Sequence, residues 1–473
     1  MKRSFADILA GLDDDRARKV ARKLPEWAAA DAQRRASGLD GLEFPSALSL
    51  EQCSSTATAR YKAALISEQA VLAPRGGSSP RQNFASLIPP TAEQRVPPIY
   101  EAMGGHGFAG ATSPDVPQQP VHSLPAASSV SATTKQARLV LDLTGGLGVD
   151  SWAFAQVAER VVYYERDAEL AGAAERNFAR LGADNIEVRC ETVTPATELP
   201  EADLIYADPA RRNAAGRKVF LLEDCTPDIL TLLPMLLQRA PAVLLKLSPM
   251  ADLAMLAERL GAALREIHVV EHDGEVKELL CLLLRDSSPA EPEIIIDSFR
   301  FRSSEERQAE AVYAAEVRPG DVLLEPAPAL LKAGAFRLPC SRWGLHKLAH
   351  STHLYLLPAV PGTEAPSSVP GEPFFAVPGT ETPSSVPGKL CPEAAPWFKA
   401  RRVCDVLPFG AAAFKTLRQR YPKAEITARN LPLGSDALRK KMGIAPGGDT
   451  HIFGCRFADG SAVLLVCEAE AIS

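Results

Sequence analysis

The segment Leu139–Asp150, L-V-L-D-L-T-G-G-L-G-V-D, limits what this chain can fold into more than any other. An apolar run reaches an acid, Asp142, then a glycine-rich turn, then the start of a helix. Strand, tight turn and helix in that order open a doubly wound α/β sheet. A second apolar run, Val161–Tyr164, ends in Glu165, 17 residues after Gly148. A later one, 203–208, runs into Asp208-Pro209-Ala210-Arg211. Sheets of this kind bind ligands just outside the carboxyl ends of their strands, where all three acids fall.

The pattern continues along the chain. Apolar runs at 139–144, 161–165, 186–190, 203–208, 242–248, 266–271 and 278–284 read as strands, and 149–159, 167–181, 220–239 and 251–261 read as helices. The strands are continuous rather than alternating in hydrophobicity, as expected of a sheet covered on both faces. Only Asp273–Lys277 separates the last two, so they read as an antiparallel hairpin in an otherwise parallel sheet. At 473 residues the chain has room for two to four domains. Residues 1–71 have helix-forming composition, notably Asp13–Leu24 and Ala57–Leu72. Residues 72–136 hold 10 prolines, 6 glycines and 8 serines, the composition of a disordered linker. A second proline-rich stretch, 359–390, repeats A-V-P-G-T-E-x-P-S-S-V-P-G and reads as a duplicated tether. Residues 391–473 form a last α/β segment.

The chemistry follows from the residue types. Gly145, Gly146 and Gly148, with Thr144 in the same turn, let the backbone approach a ligand where a Cβ would intrude. The dinucleotide fingerprint is G-x-G-x-x-G; here Asp150 takes a position that would repel a pyrophosphate. With Asp142 it favours a cationic ligand, S-adenosylmethionine rather than a dinucleotide. The same residues also fit a plain βα turn in which Asp150 caps the helix. Glu165 is placed to accept ribose hydroxyls, or is a surface acid within Glu165-Arg166-Asp167. Glu191, after the third strand, is the expected neighbour of an adenine amino group. Asp208 can accept a hydrogen bond from an attacking group, and Pro209 stiffens the loop that holds it. Arg211 and Arg212 can grip a phosphate or carboxylate. Lys246 in Lys246-Leu247-Ser248-Pro249 is a further substrate candidate. Neither D-P-A-R nor K-L-S-P carries a cysteine, so direct displacement is expected over a covalent intermediate.

Composition excludes some classes. A net charge of −6 and a pI near 5.9 argue against a globally basic nucleic-acid binder. Nine scattered cysteines without a C-x-x-C pair fit reduced cytoplasmic thiols better than disulfides or a zinc site. No signal core follows Met1, and no run of 18 apolar residues predicts a membrane span.

T-G-G-L-G-V-D-S at 144–151, D-P-A-R-R at 208–212, G-R-K-V-F-L-L-E-D-C at 216–225 and K-L-S-P-M at 246–250 together resemble bacterial class I S-adenosylmethionine-dependent methyltransferases with a C-terminal THUMP-like domain. Glu51–Ser55 with Ala59–Lys62 is similar to that family's N-terminal region. Glu325–Gly334 resembles its ferredoxin-like insert, and Arg429-Asn430-x-Pro432, Leu438–Lys441 and Gly447-Gly448 resemble its THUMP-like module. Apart from the linker 72–136 and the tether 359–390, which composition marks, the resemblance implies a helical region to 71, a Rossmann-like methyltransferase domain at 137–290, a ferredoxin-like domain at 291–358 and a THUMP-like domain at 391–473; the 65-residue proline-rich insertion is a departure from the family's pattern. It implies cofactor contacts at Asp142, Gly145, Gly146, Gly148, Glu165 and Asp208. It also implies an RNA partner, for which Arg429, Asn430, Arg439, Lys440 and Lys441 are candidate contacts. Between Trp397 and Met442 there are 11 Lys or Arg and 3 acids, interleaved with Trp397, Phe398, Phe409 and Tyr421. Such a stretch reads as a phosphate-tracking surface, or as a solvated face over an aromatic core. D-P-A-R lacks the aromatic that stacks on a flipped base in enzymes acting on exocyclic amines, which weighs against base N-methylation.

Overall fold

The computed structural model describes residues 5–72, 137–210, 222, 225–286, 290–358 and 390–469. Both proline-rich stretches, and Arg211 and Arg212, lie outside them. The chain forms two compact units, Met1–Leu244 and Leu245–Ser473.

The first unit opens with five helices: α1 (Phe5–Leu9), α2 (Asp14–Lys23), α3 (Pro25–Ala36), α4 (Ala47–Gln52) and α5 (Thr56–Leu72). Local chemistry sets their ends. Asp13 caps α2 by accepting from Arg16 N–H, and Pro25 occupies the first turn of α3, where no N–H is needed. Strands β1 (Ala137–Asp142), β2 (Ala158–Tyr164), β3 (Ile186–Arg189) and β4 (Leu204–Ala207) follow, with α6 (Val149–Phe154) and α7 (Ala168–Arg180) between them. β1 pairs in parallel with β2 and β4, and β2 with β3. The apolar runs give strands without a polar face: Val161–Tyr164 and Leu204–Ala207 are buried throughout.

Two helices differ from their sequence expectation. α6 stops at Phe154 rather than 159, because β2 begins at Ala158, level with Ala137 of β1. The helix expected over 220–239 is α8, Ile229–Arg239. Thr226 instead bridges Ala210 through a reciprocal pair of backbone hydrogen bonds, and Asp228 caps the helix by accepting from Thr231 N–H.

β5 (Ala242–Leu247) is followed by α9 (Leu253–Leu260) and the hairpin β6 (Leu264–His272) and β7 (Glu275–Leu284). Asp273 and Gly274 take φ of 55° and 69°, the positive angles a two-residue hairpin needs. β8 (Glu293–Ile296) runs parallel to β6, and β9 (Phe299–Arg302) turns back on β8. Residues 293–302, placed in the ferredoxin-like segment on sequence grounds, therefore extend the first sheet. Its order is β3-β2-β1-β4-β5-β7-β6-β8-β9, the doubly wound arrangement with a reversed β7.

Beyond α10 (Ser303–Gln308) the second unit builds another sheet from β10 (Val322–Pro326), β11 (His346–Lys347), β12 (Tyr355–Leu356), β13 (Phe398–Pro408), β14 (Glu425–Arg429), β15 (His451–Arg456) and β16 (Ala462–Ala469). Their order is β11-β12-β10-β13-β16-β15-β14. Helices α11 (Pro328–Ala333) and α12 (Leu338–Trp343) follow β10, and α13 (Ala411–Arg420) and α14 (Ser435–Met442) follow β13 and β14. Phe414, Leu417, Leu438 and Met442 of the last two helices pack on Ile452, Leu464 and Val466. The other face carries Leu323, Phe453, Leu465 and Cys467 under Leu348 and Leu354. Among the described residues no helix is long and apolar enough to cross a membrane.

Candidate cofactor cleft

The glycine turn rests on an aromatic floor. A Cβ at Gly145 would lie 1.9 Å from the Tyr163 ring, and one at Gly148, which has φ of 89°, 2.5 Å from Phe178. Only glycine fits either place. Tyr163 donates its hydroxyl to Gly146 C=O at 2.6 Å, and Gly145 N–H donates to Tyr164 C=O at 2.8 Å. The turn is thus bolted to the end of β2.

Glu165 completes that attachment. One carboxylate oxygen accepts from Gly146 N–H at 2.8 Å, and the other from Asp167 N–H at 2.8 Å. Each oxygen keeps a second lone pair, so the half-buried group can still receive hydroxyl donors. Glu191 N–H donates to Glu165 C=O at 3.0 Å, which fixes the exposed Glu191 at the same strand edge.

Asp142 ends β1 almost wholly buried. It accepts from Ser151 Oγ at 2.6 Å and Thr144 N–H at 3.1 Å. Burial still outweighs those bonds and, with the nearby Asp150 and Asp208 charges, pushes its pKa up to about 7. A buried carboxyl held at the edge of ionisation is stabilised as an anion by any cation brought beside it. Thr144 also ties β4 to the turn: its hydroxyl accepts from Asp208 N–H at 2.6 Å. The β4 loop is therefore set against the glycine turn, with Asp208 half-buried and Pro209 buried.

Asp150 departs from its expected cofactor role. Its carboxylate faces the N-terminal helices, where it pairs with Lys62 Nζ at 3.1 Å and accepts from Ser54 Oγ and Tyr206 Oη, each at 2.8 Å. Lys62 is fully buried and also donates to Ser54 Oγ at 3.0 Å. The acid that the sequence offers to a ligand is instead the counter-ion of a buried lysine 88 residues earlier. Lys62, Ser54 and Tyr206 were not legible as a cluster, because separation along the chain hides them. The available signal was a lysine inside an otherwise apolar helical stripe of Ala59, Ala63 and Ile66. The N-terminal segment also meets α6 and α7: Trp27 packs edge-on against Trp152 with 6.2 Å between centroids, and Glu43 pairs with Arg176 and Arg180.

The remaining candidates sit in the second unit. Lys246 is half-buried on β5. Arg429 pairs with Glu325 at 3.3 Å, and Glu325 also holds Arg401 at 3.4 Å. Asn430, at φ of 56°, donates to Thr352 Oγ1 at 3.2 Å, and Thr352 donates to Arg456 C=O at 2.6 Å. Arg439 pairs with Asp436 at 2.6 Å within α14. Lys440 and Lys441 are exposed. Of the interleaved aromatics, Trp397 and Phe398 are buried, and Phe409 and Tyr421 pack against the helical core, so the aromatic-core reading holds for them.

Known proteins agree with this architecture. Residues 399–469 match the THUMP domain-like family, and residues 323–360 match a ferredoxin-like domain. The crystal structure of a "putative methyltransferase" from Porphyromonas gingivalis W83 is 28% identical and superposes with a TM-score of 0.63, covering 99% of this chain and 95% of that one. This chain joins a class I methyltransferase fold to a THUMP-like domain. Shorter likenesses include TrmN from Thermus thermophilus, 23% identical over 31% of this chain and 43% of that one with a TM-score of 0.25. A SAM-dependent methyltransferase from Agrobacterium tumefaciens is 22% identical over 33% of this chain and 58% of that one, also with a TM-score of 0.25. No curated protein matches the chain.

Proposed function

We propose that the protein is a cytoplasmic S-adenosylmethionine-dependent methyltransferase that modifies RNA at a base or ribose heteroatom. The observation that carries this reading is the pair of acids around the glycine turn: Asp142 buried beneath it, and Glu165 clasping Gly146 N–H at 2.8 Å. These residues fit the cofactor. The turn presents backbone where a Cβ is forbidden, Glu165 has lone pairs for ribose hydroxyls, and Asp142 offers negative charge to an ammonium or sulfonium. S-adenosylmethionine, when bound, supplies an electrophilic methyl group. The chain's own part is positional. Asp208 accepts a hydrogen bond from the acceptor, Pro209 keeps the loop stiff, and Arg211 holds substrate; well-oriented reactants alone can remove about 7–11 kcal/mol of a barrier. RNA as the acceptor is supported by the THUMP-like segment and by the exposed Lys440 and Lys441.

Isothermal titration with S-adenosylmethionine and with NAD tests the cleft, and nucleoside mass spectrometry of RNA from cells lacking the protein tests the acceptor. The expected result is binding of S-adenosylmethionine alone and the disappearance of one methylated nucleoside. A cleft that takes NAD, or neither ligand, removes methyl transfer. Cofactor binding with unchanged RNA modification points to a protein or small-molecule acceptor, and RNA binding without turnover to a catalytically silent scaffold.

A further inference from the structure

The second unit contains a cleft of about 340 Å³ that has no part in the proposed methyl transfer. That volume lies within the range of small-ligand sites. Its wall is built on the β11 strand and the loops around it. Lys347 is 2% exposed, and its Nζ donates to His350 C=O at 2.7 Å and lies 5.4 Å from the Phe336 ring centroid. Among the described residues neither Lys347 nor Arg337 has a carboxylate within ion-pair distance of its charged group; the Arg337 guanidinium donates to Arg307 C=O, at 3.2 Å. The acid in the wall, Glu306, already accepts Arg337 N–H at 2.8 Å and Leu338 N–H at 3.1 Å. Two cations thus face one cleft without their own counter-ion. An ammonium buried against a carbonyl and a ring, with the Glu306 charge beyond ion-pair distance, is only partly compensated, and an incoming anion relieves that cost. Burial lowers the Lys347 pKa to about 8, which leaves it mostly charged at neutral pH.

The other walls are rings. His353 stacks on Phe336 with 3.9 Å between centroids, and among the described residues its Nδ1 has no hydrogen-bond partner. Tyr313 is 40% exposed, and its backbone is locked to Lys347 by a β-bridge. Flat apolar surface beside unpaired cations suits a ligand that carries a ring and a phosphate together.

We infer that this cleft binds a phosphorylated nucleoside, held by Arg337 and Lys347 at its phosphate and by Tyr313 at its base. The ligand can be a free mononucleotide or one nucleotide of an RNA strand. Titration of the full-length protein distinguishes the two sources. The probes are uridine 5′-monophosphate, uridine, inorganic phosphate, and a 12-nucleotide single-stranded RNA with and without a 5′-phosphate. Uridine 5′-monophosphate should bind at least tenfold more tightly than uridine if the free nucleotide is the ligand; binding confined to the RNA assigns a strand. Arg337→Gln and Lys347→Met should each weaken the bound probe at least tenfold, whereas Glu165→Gln should leave it unchanged. Lys347→Met replaces a buried charge by an apolar chain of similar length, and Arg337 is only half-buried, so circular dichroism should match the parent chain. Equal binding of uridine 5′-monophosphate and of RNA by the parent and both variants overturns the inference, as does no binding of either by the parent. Binding of S-adenosylmethionine at the glycine turn is titrated separately, so a failure here is distinguishable from a failure of the proposed cofactor site.

Discussion

The glycine turn and the basic C-terminal stretch were both legible as candidate sites, yet the fold treats them differently. At the turn, groups around the buried Asp142 converge: Asp142, Thr144, Gly146, Glu165 and Asp208, the last four half-buried, are linked by hydrogen bonds of 2.6–3.1 Å. In the C-terminal stretch the charges disperse into local bonds, with Arg429 on Glu325, Asn430 on Thr352 and Arg439 on Asp436. Of the candidate contacts in it, Asn430, Lys440 and Lys441 stand exposed, and Arg429 and Arg439 are half-buried. Burial is what makes a motif predictive. A group taken out of water must be met by specific partners, whereas a surface charge can pair with any neighbour at little gain.

The sharpest challenge to this contrast is Lys62→Met. Removing one member of a buried ion pair costs about 3–5 kcal/mol, so the denaturation midpoint of the first unit should fall steeply, and Asp150→Leu added to it should recover much of the loss. An unchanged midpoint together with lost S-adenosylmethionine binding would return Asp150 to the ligand. Next in size, Glu165→Ala should weaken S-adenosylmethionine by about 2–3 kcal/mol in titration, since it removes charged acceptors. A loss confined to stability would make Glu165 only the clasp of the turn.

The pH dependence of cofactor affinity sharpens the same point. The folded pKa of Asp142 is raised to about 7, so the stability tied to its neutral form is complete below the ordinary carboxylate range and fades as pH rises through 7. A cationic ligand wants the opposite form. Affinity for S-adenosylmethionine should therefore rise about tenfold from pH 6 to pH 8, and Asp142→Asn should flatten the profile. A flat profile in the parent chain would exclude Asp142 from contact with the cation. The smallest effect belongs to the surface. Lys440→Gln with Lys441→Gln should lower the slope of log affinity for RNA against log salt by about one per lysine, without altering the melting temperature. An unaltered slope would leave the exposed lysines as a solvated face.

What could be read in advance follows the same physical line. Continuous apolar runs such as Val161–Tyr164 announced buried strands, and the Gly145 region announced its turn, because strand burial and glycine geometry are local demands. The early end of α6 was hidden because strand register against Ala137, a distant partner, decides it. The start of α8 was hidden by the Ala210–Thr226 bridge for the same reason. The pairing of Asp150 was hidden because its counter-ion, Lys62, comes from α5, on the far side of a 64-residue stretch. Lys347 and Arg337 escaped notice altogether, since ordinary lysines and arginines carry no mark of lacking a carboxylate.

Glu325 has one more consequence. The two family segments, 323–360 and 399–469, are halves of a single sheet: β10 runs beside β13 through five residue pairs, and Glu325 grips an arginine from β13 and another from β14. A truncation opening at Cys391 would strip the flank from β13 and present bare amides and carbonyls to any passing strand. The seam between the families is therefore a poor place to cut, and a soluble fragment has to begin upstream of β10.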